Sequence, residues 1–192
     1  MELNNLNTKF LGKSVFHYET IDSTQKEIWR RIKQKNIKNG TIIISDIQTE
    51  GTGTHGRKWH TDTKNNIAFS FFIETNCNLE NIQGLTIDIA KTIVEIFKEL
   101  YNITLNIKYP NDIIYKDKKI GGILTETKVY KERVKYIVIG IGINTNQEEF
   151  ALDIKDIASS IKNEFGINIE NELVIMKFCE LFEKKLIEKN IL

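Results

Sequence analysis

The chain has 192 residues, is 41% hydrophobic and carries a formal net charge of +1. It can therefore bury a core, and it has no global field that would draw it to nucleic acid or a membrane surface. Cys77 and Cys179 are far apart and His17, His55 and His60 lack zinc-ligand spacing, which predicts two reduced core thiols and no protein-held metal. The polar N-terminus has no apolar signal region, and no stretch approaches about 18 apolar residues, so a soluble, cytoplasmic protein is expected.

In chain order, Asp22-Ser23-Thr24 reads as the start of a helix. Thr24 and Glu27 have capping-box spacing, and Ile28 with Ile32 gives an apolar stripe that runs out before Asn39-Gly40. Thr41 to Ile47 is β-branched and predicts a buried strand. Gln48 to Asn66 is polar, bears glycines and is longer than the roughly 12–15 residues at which loops are usually functional or disordered. Ile67 to Glu74 is a second strand. The apolar positions Leu85, Ile89, Ile93, Ile96, Phe97 and Leu100 keep helical period. Strands are then expected at Ile103–Tyr109, Lys119–Val129 and Val134–Ile143, with a tight turn at Asp117-Lys118. A weak helical signal covers Ile154–Lys162 and a stronger one Glu172–Glu188. Strands joined by short turns, with few helices between, predict an α/β fold of the α+β type: a mixed, largely antiparallel sheet with helices on one side. No linker or repeat interrupts residues 1–192, which read as a single domain.

Gly51-Thr52-Gly53-Thr54-His55-Gly56 matches G-x-G-x-x-G after a strand, but a dinucleotide site needs a helix to begin at once and hold the pyrophosphate. Here Arg57-Lys58-Trp59-His60-Thr61-Asp62 leads through polar loop into another strand. The same glycines have P-loop spacing, yet Arg57-Lys58 stands where Lys followed by Ser or Thr is required. What remains is a loop whose glycines permit close backbone approach, whose Arg57 can grip a phosphate and whose Trp59 can cover a flat ring, or else a solvated loop with Trp59 packed beneath it. Arginine is scarce, at 30, 31, 57 and 133 only, which singles out Arg57. Three further segments carry unusual patterns. Lys108-Tyr109-Pro110-Asn111-Asp112 ends a strand with an amide and a carboxylate, and Lys119-Ile120-Gly121-Gly122-Ile123-Leu124 puts an ammonium at the head of an apolar strand. Val138-Ile139-Gly140-Ile141-Gly142-Ile143-Asn144 is a glycine-interrupted strand closed by an amide. Glycines in strands often mark close approach by a ligand or by another backbone.

Taken together, Ile21-Asp22-Ser23-Thr24, Gln48-Thr49-x-Gly51-x-Gly53 through Gly56-Arg57-Lys58-Trp59, Tyr109-Pro110-Asn111-Asp112, Lys119-Ile120-x-Gly122-Ile123-Leu124 and Gly140-Ile141-Gly142-Ile143-Asn144 resemble the biotin–protein ligase family. The resemblance runs from about residue 15 to the end and is dense from 20 to 145. It implies a fold like the catalytic domain of class II aminoacyl-tRNA synthetases. It also implies biotin, ATP and Mg²⁺ as substrates and cofactor, and a biotin carboxyl carrier protein as the acceptor partner. By position, Ser23, Thr24, Gln25 and Gln48 would bind biotin, with Gly51, Thr52, Gly53 and Thr54 closing over it and Gly122 beneath. Lys119 would meet the biotin carboxylate and the reacting phosphate. Arg57, Trp59, Asn111, Asp112 and Asn144 would bind ATP and the adenylate, with Lys119, Arg57 and Asp112 as the catalytic set.

Tyr109 stands where that family usually has tryptophan, which the resemblance implies is a tolerated aromatic swap. Thr52 and Thr54 stand where its loop normally carries basic residues, and His55 where it commonly carries another. This implies a looser hold on the adenylate. The resemblance includes neither an N-terminal DNA-binding domain nor the small C-terminal β-domain of many relatives, and it allows a monomer or a homodimer. The rival enzymatic reading is a lipoate–protein ligase, whose glycine and arginine signatures differ. The rival of another class is a degenerate sensor that binds biotin or its adenylate without transfer.

Overall fold

The computed structural model describes residue 3, residues 6–61 and residues 65–192. Its strands are β1 (Val15–Ile21), β2 (Ile42–Gln48), β3 (Ile67–Asn78), β4 (Asn106–Lys108), β5 (Asp112–Tyr115), β6 (Lys118–Tyr130) and β7 (Arg133–Ile143). Its helices are α1 (Thr24–Lys33), α2 (Leu85–Tyr101), α3 (Ile161–Phe165) and α4 (Asn171–Glu188). The strands form one seven-stranded sheet in the order β1-β2-β3-β7-β6-β5-β4. Only β1 and β2 run parallel; the other neighbours are antiparallel. The expected mixed, largely antiparallel sheet is therefore present.

Alternate residues of a strand point to opposite faces, and β3 shows how this sheet uses both. Phe69, Phe71 and Ile73 join the main core, in which Phe71 lies 5.8 Å from Phe178 and 5.7 Å from Phe182 on α4. Phe72 points the other way and packs with Ile28 of α1, Ile43 and Val138. Helices α2 and α4 thus cover one face while α1 covers part of the other, which corrects the expectation of helices on one side only. The sequence hides this because α1 buries a single large apolar residue, Ile28, together with Thr24 and Gln25.

The start of α1 also differs from expectation. Ser23, not Thr24, is the N-cap and accepts from the Lys26 N–H at 3.4 Å, while Glu27 binds Arg30 and Arg31 instead of closing a capping box. The strand expected at Ile103–Tyr109 is confined to Asn106–Lys108. The helix expected at Ile154–Lys162 is replaced by turns over 152–157 and the short α3. β6 and β7 form a long hairpin whose turn residues Lys131 and Glu132 both have positive φ, as tight primed turns require.

Candidate functional site

The face that carries α1 changes character along its strands. Register places Ser70 of β3 beside Gly140 of β7, and Gly140 beside Leu124 of β6. Two residues further along lie Ala68, Gly142 and Gly122, again side by side. Beyond them β7 ends at Ile143 and Asn144 follows, its N–H donating to the Ile120 carbonyl at 2.8 Å. Where β7 departs, residues 157–159 take its place beside β6: the Lys119 N–H donates to Ile157 O at 2.8 Å and the Ser159 N–H to Lys119 O at 3.0 Å. The result is a floor made mostly of small residues, with α1 covering the sheet beyond one end and this segment closing the other. A cavity of about 440 Å³ stands on it, within the range usual for small-molecule sites.

At the α1 end the wall is polar and tightly bonded. Thr24 N–H and Oγ1–H both donate to Gln48 Oε1, at 2.9 and 3.2 Å, and Thr24 Oγ1 lies 2.8 Å from Ser70 Oγ. Gln48 Nε2 donates to Thr61 Oγ1 at 3.1 Å, which leaves one of its two N–H groups for the cavity. Ser23 Oγ lies 3.4 Å from Thr52 Oγ1, so the loop meets the helix cap here. Asp22 stays outside: Arg30 grips its carboxylate through two 2.7 Å contacts and, with the Ser23 N–H, holds its pKa at about 2. It fixes the first turn of α1, from which Ser23, Thr24 and Gln25 reach the cavity. Gln25 itself packs against Gly140 and donates to Glu126 Oε2 and Val138 O.

Over the middle row lies the indole of Trp59. A Cβ on Gly142 would come within 2.2 Å of the indole, and one on Gly122 within 3.1 Å. The glycines of both strands thus make room for a side chain of the loop. The loop gets there by closing on itself. Trp59 N–H donates to Gly51 O at 2.8 Å and Gly53 N–H to Arg57 O at 2.7 Å, with a turn between in which His55 and Gly56 have φ of 57° and 72°. Gly51 does not line the cavity. Its lack of a side chain admits the Trp59 carbonyl, which would stand 2.3 Å from a Cβ there. Lys119 Nζ lies 5.7 Å from the indole centroid and 2.7 Å from Asp112 Oδ1, so ammonium, carboxylate and ring meet at one point. Asn111 anchors the turn before Asp112 by donating from Nδ2 to Ile123 O at 3.2 Å. Arg57 is exposed and donates to Thr54 O and Oγ1, at 3.2 and 2.8 Å.

The structure thus brings Ser23, Thr24, Gln25, Gln48, Thr52, Gly53, Thr54, Arg57, Trp59, Asn111, Asp112, Lys119, Gly122 and Asn144 to one cavity and leaves out Gly51. Asn144 is buried, with Nδ2 donating to Ser159 O at 3.1 Å. Sequence reasoning missed Ser70 in the polar wall, the cations Lys58 and Lys108, and the apolar wall of Ile154, Ile157 and Ala158. Ser70 left a signal, as the lone polar residue in the run Ala68–Phe72; the 154–158 wall left none. Among the described residues no group of three or more His, Cys, Asp or Glu side chains is placed to hold a metal ion. No helix among them is long and apolar enough to cross a membrane.

Comparison with known proteins agrees with this architecture. Residues 17–144 match the biotin/lipoate A/B protein ligase family. The chain is 35% identical over 182 residues to the bifunctional ligase/repressor BirA of Bacillus subtilis, covering 94% of this chain and 56% of that protein. It is 29% identical over 193 residues to the biotin–protein ligase of Homo sapiens, covering 96% of this chain and 26% of that one. Among solved structures, the biotin protein ligase of Aquifex aeolicus in complex with biotin and ATP superposes with a TM-score of 0.72 at 30% identity, over 92% of this chain and 70% of that chain. The lipoate-bound LipL1 of P. falciparum, at 16% identity and a TM-score of 0.59, shares the fold. The chain spans about half the length of the bacterial relatives it matches.

Proposed function

Because this chain belongs to the biotin/lipoate A/B protein ligase family, we propose that it joins biotin to ATP as biotinyl-5′-AMP and passes the biotinyl group to a lysine of a biotin carboxyl carrier protein. The observation that carries the reading is the single cavity in which a polar recess, a lysine–carboxylate pair and an amide-closed slot follow one another along a glycine floor. A fused bicyclic urea needs an apolar slot with a few fixed donors and acceptors. Ser23, Thr24 and Gln48, with Thr52 above, offer them at the recess, and Gln25 completes its wall.

The first step joins two anions: a carboxylate oxygen of biotin bonds to the α-phosphorus of ATP, and pyrophosphate leaves. Fixed positive charge offsets the repulsion. The Lys119 ammonium reaches back to Gly122 in the middle row, where carboxylate and phosphate would meet, and Arg57 lines the same cavity from the loop. In this reading Trp59 walls the junction between acyl chain and phosphate, and Asn111 and Asn144 serve the nucleotide side. Magnesium supplies charge to the phosphates. It is typically held by one or two carboxylates together with phosphates and water, and Asp112, on the cavity wall beside Lys119, would be the carboxylate at the reacting centre available to it. In the second step the neutral amine of the acceptor lysine attacks the acyl carbonyl. An amide forms, AMP leaves, and the amine's proton passes to Asp112 or to solvent.

The test is incubation of the protein with Mg-ATP and either biotin or lipoate, followed by exchange of labelled pyrophosphate into ATP and mass measurement of an added carrier domain. Biotin-dependent exchange with a biotinyl mass gain on the carrier is expected. Activity with lipoate alone would overturn the choice of substrate. Exchange without any mass gain would point to a sensor.

A further inference from the structure

The turn between β4 and β5 carries an aromatic side chain that stands largely in solvent. Tyr109 is 80% exposed and takes no part in the cavity wall. Its turn is nevertheless firmly held: Lys108 pairs with Asp112, the Ile123 N–H donates to Asn111 O at 3.0 Å, and the Asn111 amide returns a bond to Ile123 O. Neighbours on both sides, Lys108 and Asn111, do line the cavity. A fixed turn therefore presents a bare phenol ring on the rim, three residues from the carboxylate that pairs with Lys119.

Resting on the ligase reading, we propose that Tyr109 seats the acceptor protein, packing against the polypeptide that flanks its target lysine. The reach of the reactants carries the argument. A lysine amine stands about 6 Å from its own backbone, and three residues of extended chain span at most about 10 Å. An acceptor whose amine arrives beside the Lys119–Asp112 pair therefore brings its backbone to the rim that Tyr109 occupies. A tyrosine there supplies broad apolar contact and a hydroxyl at low cost in side-chain entropy, which is why tyrosines are frequent anchors at interfaces. It stands outside the cavity wall that would hold the small substrates. Its contribution belongs to the second step alone.

That separation makes the test specific. Tyr109→Ala should leave biotin-dependent pyrophosphate exchange unchanged, and likewise the capture of adenylate by hydroxylamine, a small nucleophile that needs no docking. The KM for the carrier domain in biotinyl transfer should rise roughly 10- to 30-fold, and Tyr109→Trp should restore it. Unchanged transfer, or a parallel fall in exchange and transfer, would overturn the inference while the ligase reading stands. A wild-type protein that shows no biotin-dependent exchange would instead remove the reading itself, and the inference with it.

Discussion

Lys119 combines two properties that rarely coincide. Its ammonium is side by side with a carboxylate, yet its neighbours Gly122 and Trp59 leave it bordering open cavity. Its removal should cost catalysis far more than folding. Lys119→Ala is expected to slow adenylate formation roughly 10²- to 10³-fold, as loss of one preorganised donor does, with a thermal midpoint within a few degrees of wild type. Near-normal single-turnover adenylation in that variant would remove Lys119 from the mechanism. Gly142 gives the complementary case. Gly142→Ala places a methyl group inside the volume of the indole, and overpacking of this kind costs about 1–3 kcal/mol. We expect weaker biotin binding by calorimetry together with a changed tryptophan emission; unchanged values for both would mean that the ring has free room. At this scale the sequence was informative wherever a residue was odd for its element. Strand glycines, a lysine heading an apolar strand and an amide closing another all led to the cavity. It failed where oddness had a local cause, as with Gly51, whose role is to admit the loop's own Trp59 carbonyl.

The element that differs most from the family pattern is the loop between β2 and β3. Residues 62–64, within the long polar segment Gln48–Asn66, lie outside the described residues. Residues 51–59 form a closed hairpin, with Thr54 binding the Arg57 guanidinium through its hydroxyl and carbonyl. Where basic residues were expected, Thr54 instead orients the one arginine the loop retains. A charge-assisted hydrogen bond to an anion contributes about 1.5–3 kcal/mol, so Thr54→Arg should slow release of the adenylate roughly tenfold or more. Bystander proteins in the same tube should then acquire less biotin than with the wild type. Equal off-rates and equal bystander labelling would show that another group holds the phosphate. Elements were legible in proportion to their periodicity. Helices α2 and α4 and strands β2, β3, β6 and β7 announce themselves. Strand β1 does not, because it is an edge strand that buries little on either face, so no apolar alternation is written into Val15–Ile21. Strand β5 is four residues long. The 154–158 wall is set by backbone bonds to Lys119, a non-local cause that leaves no pattern in the segment itself.

At the scale of the whole molecule, a buried carboxylate ties distant parts of the chain together. Glu183 of α4 is buried and accepts the N–H groups of Lys9, Phe10 and Leu11, at 2.6, 3.0 and 3.0 Å. Burial alone would push its pKa up, but these backbone donors and the Lys9 charge outweigh it and hold the group below its ordinary value. Asp22, gripped by Arg30, is lowered to about 2. Both groups bind their protons more weakly folded than unfolded. The stability they confer is complete above the ordinary carboxylate pKa and is lost as pH falls through the folded values. Thermal midpoints should therefore fall between about pH 5 and pH 2, and Glu183→Gln should be less stable at neutral pH yet show a shallower acid slope. An unaltered slope would assign the acid loss elsewhere. Nothing in the sequence around Lys9 or Glu183 reveals this clasp, since its acceptor and donors are brought together only by the finished fold. The sheet and its antiparallel pairing were legible, whereas the placement of helices on both faces was not.

The recess over Gly122 and Gly142 has a last consequence, for how this site can change over generations. Trp59 and Gly142 share one volume although they lie on different elements, so neither position can vary alone. A methyl at 142 is admissible only beside a smaller ring at 59, and a smaller ring beside two glycines leaves a void that a bulkier acyl chain can fill. Paired exchange at these two positions is thus a short route by which the same scaffold could drift toward a different acid.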